Sequence, residues 1–417
     1  MWRDVRIRRH FYLRGSYDRR RMRRATSLVA VGLIAVACVI GVACEPAGRL
    51  GRSAAGAVFA SARTVIWAIR YRAHDGPLRM AYLLAPRWYG PGHDPALPLI
   101  ISPHGRGEDG RENARRWGDL PGMGRFLVVN PDGQGRHLPD YSWGYPGQIS
   151  DLARMPAIIS RRLPWVHIAR HAVFAFGASM GGQEALLLAA RYPHLLAGVA
   201  AFDSVADLAL QYQTFPSLPC GRACLASWGE PLGIALQTLA RREVGGSPYQ
   251  LPHAYALRSP LSYARALADS GLPIQLWWSR LDRVVPQAEQ SQRLFGTIEQ
   301  LDRDAPLEAY VGWWAHTNEM RAQSALPLAL QAVALLGPGR FGWKPAMRRS
   351  KPPRSWPWPS PHTRSRPLSS PTRSRSIGRL TSVSLFRQIA TASQWVEAAF
   401  LTSSDSRSGR GKLKRDE

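Results

Sequence analysis

Apolar and polar positions fall into short blocks along the middle of the chain, and the period changes from block to block. TVIWAIRYRAH, starting at Thr64, and LRMAYLLAP, ending at Pro86, flank Asp75-Gly76, a spacing that predicts a β-hairpin. LPLIIS (Leu97–Ser102), FLVVNPDG (Phe126–Gly133) and AVFAFGAS (Ala172–Ser179) are apolar runs of strand length, as expected of strands buried on both faces. Between the last two, QISDLARMPAIISRRL changes to helical periodicity over a natural crossover length. EALLLAARY then predicts a helix directly after Ser179. AGVAAFD, PIQLWWS (Pro273–Ser279) and LEAYVGWWA (Leu307–Ala315) predict later strands. Strand and helix alternate as a mostly parallel central sheet flanked by helices requires, so the fold class is α/β.

Two intervals break this alternation. Between Asp207 and Ser259 the chain holds Cys220, Cys224 and several glycines, which predicts a small cap inserted at about residues 208–258. Beyond Leu336, RRSKPPRSWPWPSPHTRSRPLSSPTRSRS has too few apolar positions for a core, and residues 341–417 read as a basic, disordered tail. At the other end, residues 1–24 are basic and residues 25–44, ATSLVAVGLIAVACVIGVAC, carry no charge. Their length and basic flank predict a transmembrane or signal-anchor helix, with the membrane as a partner through residues 25–44. The localisation expected from this is a cell membrane with an extracytoplasmic catalytic domain, or secretion after cleavage. Residues 45–63 read as a linker and 64–340 as the main domain.

Charge changes the picture less than its total suggests. Of 55 Lys and Arg, 10 lie in residues 1–24 and 16 in residues 341–417, against 2 and 4 acidic residues there. The basic balance therefore belongs to the ends, and nucleic acid is not an expected partner of the main domain. Cys220 and Cys224 lack two further metal ligands nearby, so an exported chain would join them as a disulfide.

The candidate chemistry starts at GASMGG. A serine between an apolar strand and an Ala/Leu-rich helix needs a sharp backbone turn with small neighbours, and its hydroxyl then projects at the carboxyl edge of the sheet. Ser179 is the candidate nucleophile, and the Met180 N–H points toward a developing oxyanion. The competing reading is a tight structural turn. His316, beyond a late strand in VGWWAHTNEM, is placed as the base, and Asp282, in SRLDRVVP, as the acid that orients it. Asp203, one strand earlier, is the rival acid. His167 and His171 have helical zinc spacing but no intervening Glu, so no metal is expected. PHGRG (Pro103–Gly107) follows an earlier strand and offers the second oxyanion donor, Arg106 N–H or else Gly105 N–H. The same loop matches a dinucleotide fingerprint at Gly105, Gly107 and Gly110, a reading that leaves Ser179, Asp282 and His316 without a role. No cofactor is expected.

From about Tyr71 to Leu336, the segments DGPLRMAYLLAP, PHGRG, GASMGG, RSPLSYARAL, SRLDRVVP and WWAHT resemble the α/β-hydrolase superfamily, in its prolyl-oligopeptidase-like or esterase-like serine hydrolases. The resemblance implies the α/β-hydrolase fold with Ser179, Asp282 and His316 as nucleophile, acid and base. It also implies hydrolysis of a small ester or short peptide through an acyl-enzyme. In that family the loop ending in SWGY lines a cleft, which makes Trp143 and Tyr145 the substrate-binding candidates. The propeller of larger oligopeptidases has no counterpart in this sequence, so ester and peptide stay open. Two other function classes compete: an inactive binding protein on the same fold, and a polyanion binder acting through the basic tail. Oligomeric state is not legible.

Overall fold

Among the described residues, nine β-strands build the frame, and most are buried along much of their length. They are Ala57–Ala60 (β1), Thr64–Arg72 (β2), Leu78–Pro86 (β3), Leu97–Ile101 (β4), Leu127–Pro131 (β5), Ile168–Ala178 (β6), Gly198–Phe202 (β7), Ile274–Ser279 (β8) and Leu307–Gly312 (β9). The computed structural model describes residues 57–133, 143–317 and 325–337. β2 and β3 pair antiparallel from Thr64↔Pro86 to Arg72↔Leu78, and Gly76 turns the chain at φ 99°. That is the hairpin expected around Asp75-Gly76. β1 adds to β2 inside the stretch expected to be a linker.

The sheet order is β1-β2-β3-β5-β4-β6-β7-β8-β9, and the six strands β4 to β9 run parallel. Parallel neighbours need crossovers, and helices supply them on both faces. Alternate residues of each strand face opposite layers. Leu99, Ile101, Ala175 and Leu276 point into one core and Ile100, Phe174, Phe176 and Trp277 into the other. The helix Met180–Arg191 returns along the first of these layers, with Ala185 to Ala189 buried. The crossover segment QISDLARMPAIISRRL forms two helices, Pro146–Ala153 and Met155–Arg162, because Pro156 starts a new first turn.

Between β7 and β8 the chain makes the helices Leu208–Thr214, Arg222–Trp228, Leu232–Val244 and Pro252–Ala256. Leu208, Phe215, Leu232 and Tyr255 pack there in one cluster with Met180 and Val285 from the carboxyl edge of the sheet. Cys220 and Cys224 are joined by a disulfide at the start of the second of these helices.

The expectation of a membrane-spanning helix is corrected. Among the described residues no helix is long and apolar enough to cross a membrane. The longest, Leu232–Val244, has 13 residues, about 20 Å at helical rise against about 30 Å of hydrocarbon. It also carries Arg241, Arg242 and Glu243. Among the described residues the longest apolar runs are strands and the helix Met180–Arg191. The membrane as partner and the placement at a cell membrane are withdrawn with it. Residues 25–44, on which that expectation rested, lie outside the described residues, as does the basic tail 341–417.

Trp277 is the tightest point of the second core. Its ring is fully buried, stacks on Tyr310 at 3.8 Å between centroids and lies 5.6 Å from Phe202. Trp277→Ala is expected to destabilise the fold by about 3–5 kcal/mol in urea unfolding; a loss under about 1 kcal/mol would contradict this packing.

Candidate active site

The carboxyl ends of β6, β7, β8 and β9 lie side by side, and the turns that follow them carry the candidate residues. β6 ends at Ala178, and the helix begins at Met180, which leaves one residue for the reversal. Ser179 makes it with φ 56° and ψ −122°, a conformation that L residues rarely adopt. Its N–H is held by Phe202 O at 2.8 Å, and its carbonyl accepts the first helical bond from Gln183 N–H at 3.0 Å.

The glycines around the turn are there because backbone passes through the space of a side chain. A Cβ on Gly177 would lie 2.3 Å from Gly181 O, so strand and helix touch across the turn. A Cβ on Gly181 would lie 2.2 Å from Pro103 O. This second contact brings the PHGRG loop against the first turn of the helix. Met180 N–H, at the helix start, has no acceptor within its own helix, and the amides of Gly105 and Arg106 follow Pro103 and His104 on the adjoining loop.

A chain of hydrogen bonds crosses three of these turns. His316 Nε2 lies 3.0 Å from Ser179 Oγ, and His316 Nδ1 lies 2.8 Å from Asp282 Oδ2. An ionised carboxylate only accepts, so Nδ1 carries the proton and Nε2 accepts from the serine hydroxyl. Asp282 is itself fixed: Oδ1 accepts from the N–H groups of Val284 (2.8 Å) and Val285 (3.0 Å), and Oδ2 also accepts from Gln287 Nε2 (3.0 Å). Its side chain is fully buried, whereas His316 keeps a partly open face.

Other groups at this edge have side-chain partners that the sequence did not indicate. Asp203, weighed in the sequence only as a rival acid, is fully buried and bonded to Ser279, Trp314 and Thr317, with no bond to the imidazole. Burial, with the Asp282 charge beside it, raises its carboxyl to about 6. His104 is also fully buried. Burial lowers its imidazole to about 4, although Nδ1 lies 3.0 Å from Gly105 O. The Arg106 guanidinium makes an ion pair with the buried Glu243 of Leu232–Val244 at 2.5 Å. Burial lowers the Arg106 group and Glu243 opposes the shift. A charged pair 137 residues apart leaves no local signal, so the partnership of Arg106 with Glu243 was not legible.

The substrate-binding candidates are placed differently from each other. Trp143 is buried, its ring 5.7 Å from Phe215, and its backbone N–H donates to Met180 Sδ at 3.4 Å. Tyr145 is half-buried with the Arg258 guanidinium 5.3 Å over its ring. His167 pairs with Asp94, and His171 is exposed on β6. The ligating atoms of Asp203, Asp282 and His316 do lie within 4.8 Å of one another. Their oxygens already accept seven hydrogen bonds, counting His316 Nδ1, so they read better as a hydrogen-bonded set than as metal ligands.

Asp203 and His104 pull stability in opposite directions with pH. Asp203 is raised above its ordinary 3.8, so the folded state holds its proton more tightly and loses stability as pH rises from about 4 to about 6. His104 is lowered from 6.5, so the folded state loses stability as pH falls from about 6.5 to about 4. Melting temperatures across this window are expected to rise more steeply with pH in Asp203→Asn than in wild type. In His104→Gln they are expected to fall with pH. Parallel curves for all three proteins would refute the assignment.

No family model matches the chain, and no curated protein matches it. Among solved structures, an acylaminoacyl peptidase of Pyrococcus horikoshii is similar at 14% identity and a TM-score of 0.48, over 65% of this chain and 41% of that one. An S-formylglutathione hydrolase of Staphylococcus aureus is similar at 14% and 0.45, over 69% and 100%. An acetyl xylan esterase of Paenibacillus is similar at 14% and 0.46, over 73% and 93%. The chain thus spans about two fifths of the peptidase's length. Nothing about substrate follows from likenesses this distant. The chain's own strand order, its crossover helices and the strand–Ser179–helix turn give it the architecture of the α/β-hydrolase fold.

Proposed function

We propose that this protein is a serine hydrolase that cleaves a carboxylic ester or peptide bond through an acyl-enzyme on Ser179. The observation that carries the reading is the continuous line Asp282–His316–Ser179, with hydrogen bonds of 2.8 Å and 3.0 Å, beside the PHGRG loop. An isolated serine hydroxyl is a weak nucleophile. With Nε2 in place to accept, His316 takes the proton as Ser179 Oγ bonds to the substrate carbonyl carbon. The carbonyl π pair moves onto oxygen, where the N–H groups of Met180 and of Arg106, or else Gly105, face the charge. Asp282 holds the imidazole in the required tautomer and offsets the positive charge that develops on it.

Collapse of the tetrahedral intermediate expels the alcohol or amine, which takes its proton from His316. A water molecule then attacks the ester at Ser179 with His316 again as base, which releases the acid and restores the hydroxyl. Every proton in this sequence passes through Nε2. The residues form a complete device for acyl transfer without further groups. Its substrate-side wall would be the insertion at about 208–258 together with Tyr145.

The test is covalent labelling with a fluorophosphonate probe, followed by a panel of p-nitrophenyl esters and aminoacyl naphthylamides. Wild type is expected to label at Ser179 and to turn over members of one class. Ser179→Ala is expected to lose the label entirely and to drop turnover by at least about 10³-fold. Equal labelling of wild type and S179A would overturn the proposal.

A further inference from the structure

Asp203 has a bonding pattern that a spare carboxylate at a sheet edge does not need. It ends β7 with φ 43°, in the left-handed region that Asp tolerates better than most residues. That local fact explains an Asp or Asn at the turn. It does not explain three long-range acceptor bonds. Oδ1 accepts from Ser279 N–H at 2.9 Å. Oδ2 accepts from Trp314 Nε1–H and from Thr317 N–H, each at 2.9 Å.

These donors belong to the two turns that carry the acid and the base. Ser279 ends β8, three residues before Asp282. Trp314 and Thr317 flank His316 on either side. The turns are cross-tied as well: Ser279 Oγ donates to Trp314 O at 2.6 Å and accepts from Trp314 N–H at 2.8 Å. Thr317 is a β-branched residue at φ 58°, a strained position immediately after the base, and its N–H is the one Asp203 holds.

We infer that Asp203 is a positioning residue, which fixes the His316 imidazole between Ser179 and Asp282 by clamping the acid turn and the base turn through a carboxylate that must be ionised. The inference rests on the proposed serine-hydrolase reading and adds a fourth residue to it. All three partners are donors, so both oxygens have to accept. Protonation turns one oxygen into a donor facing N–H groups, and Asn does the same permanently. The charged or titratable groups that face the carboxylate are Asp282, from the turn after β8, and His316, from the turn after β9. The first favours the protonated form and the second the ionised one. Burial adds to the effect of Asp282, so the clamp loses its charge on the acid side of neutrality. A misplacement of the imidazole by about 1 Å costs on the order of 10²-fold in rate, so the clamp should show in kcat and leave KM alone.

The experiment compares full-length wild type, Asp203→Asn, Trp314→Phe and Ser179→Ala, using p-nitrophenyl acetate hydrolysis and fluorophosphonate labelling between pH 5 and 9. Asp203→Asn is expected to lower kcat about 10²-fold at pH 8 with KM unchanged. Its acid limb should flatten from a two-proton to a one-proton slope. Trp314→Phe removes one of the three donors and should fall between Asp203→Asn and wild type, which also decides the matter if Asp203→Asn does not fold. A second readout does not depend on turnover. In a His316→Ala background, where the imidazole cannot contribute, the Trp314 indole N–H resonance should titrate on the acid side of neutrality, and adding Asp203→Asn should abolish that titration. Should wild type neither label nor hydrolyse, the serine-hydrolase reading falls, while the indole titration still reports on the clamp. Wild-type kcat and pH profile in Asp203→Asn, or an indole resonance that does not move with pH, would overturn the inference.

Discussion

The contact between backbone atoms at Gly177, Gly181 and Pro103 is the constraint on which the rest of the carboxyl edge depends. A serine with φ 56° and ψ −122° is unfavourable by itself, and it persists only where the surroundings leave no alternative. Here strand, helix and the PHGRG loop meet across gaps of a single missing Cβ. Phe202 O holds the Ser179 N–H from the neighbouring strand. The same approach sets the Pro103–His104 backbone against the first turn of the helix. One steric arrangement therefore fixes both the strand-to-helix turn at Ser179 and the loop that lies against it.

Polar side chains around that turn are held in places where water is excluded. Asp282, Asp203, His104 and Glu243 are all buried. A buried carboxylate is tolerable only where donors surround it, and Asp282 and Asp203 each accept from at least three groups. The Arg106–Glu243 pair extends the same principle outward. It ties the side chain of the PHGRG loop to the helix Leu232–Val244, and the Arg106 guanidinium also sits 6.0 Å over the buried Trp143 ring. The insertion after β7 is therefore coupled to the loop beside Ser179 through a buried ion pair as well as through the apolar cluster of Met180, Phe215 and Tyr255.

How much of this was legible in the sequence depended on whether the cause was local. The strands from Thr64 to Gly312 could be read because continuous apolar runs between turn residues have few other uses in a chain of this kind. Ser179, Asp282 and His316 could be read because each lies just past such a run, and turns at one sheet edge converge whatever their separation in sequence. The break at Pro156 was visible as a residue but not as a boundary, since the helical period continues through it. β1 was missed because AVFA is too short to carry a period. Trp143 was picked for its loop and its aromatic ring. Its burial against Phe215 depends on a cap whose packing no periodicity encodes. Residues 25–44 carry a strong pattern, an uncharged run of membrane length, but they lie outside the described residues, among which no helix is long and apolar enough to cross a membrane.

Asp203 shows why two carboxylates next to one imidazole escape a reading based on spacing. From the sequence, Asp203 and Asp282 compete for one role, since each follows a strand at the same edge and either could face a histidine. The geometry separates them by what else they bond. Asp282 reaches His316 Nδ1 and takes its remaining bonds from its own turn, from Val284, Val285 and Gln287. Asp203 takes none from its own turn and all from the two turns beyond. A residue that bonds locally and to the base suits proton chemistry. One that bonds only to the supports of others suits alignment. The division follows from strand order: β7 lies next to β8, and β9 lies on the far side of β8. A side chain at the end of β7 can therefore reach both later turns, and Asp203 accepts from Ser279 in the first and from Trp314 and Thr317 in the second.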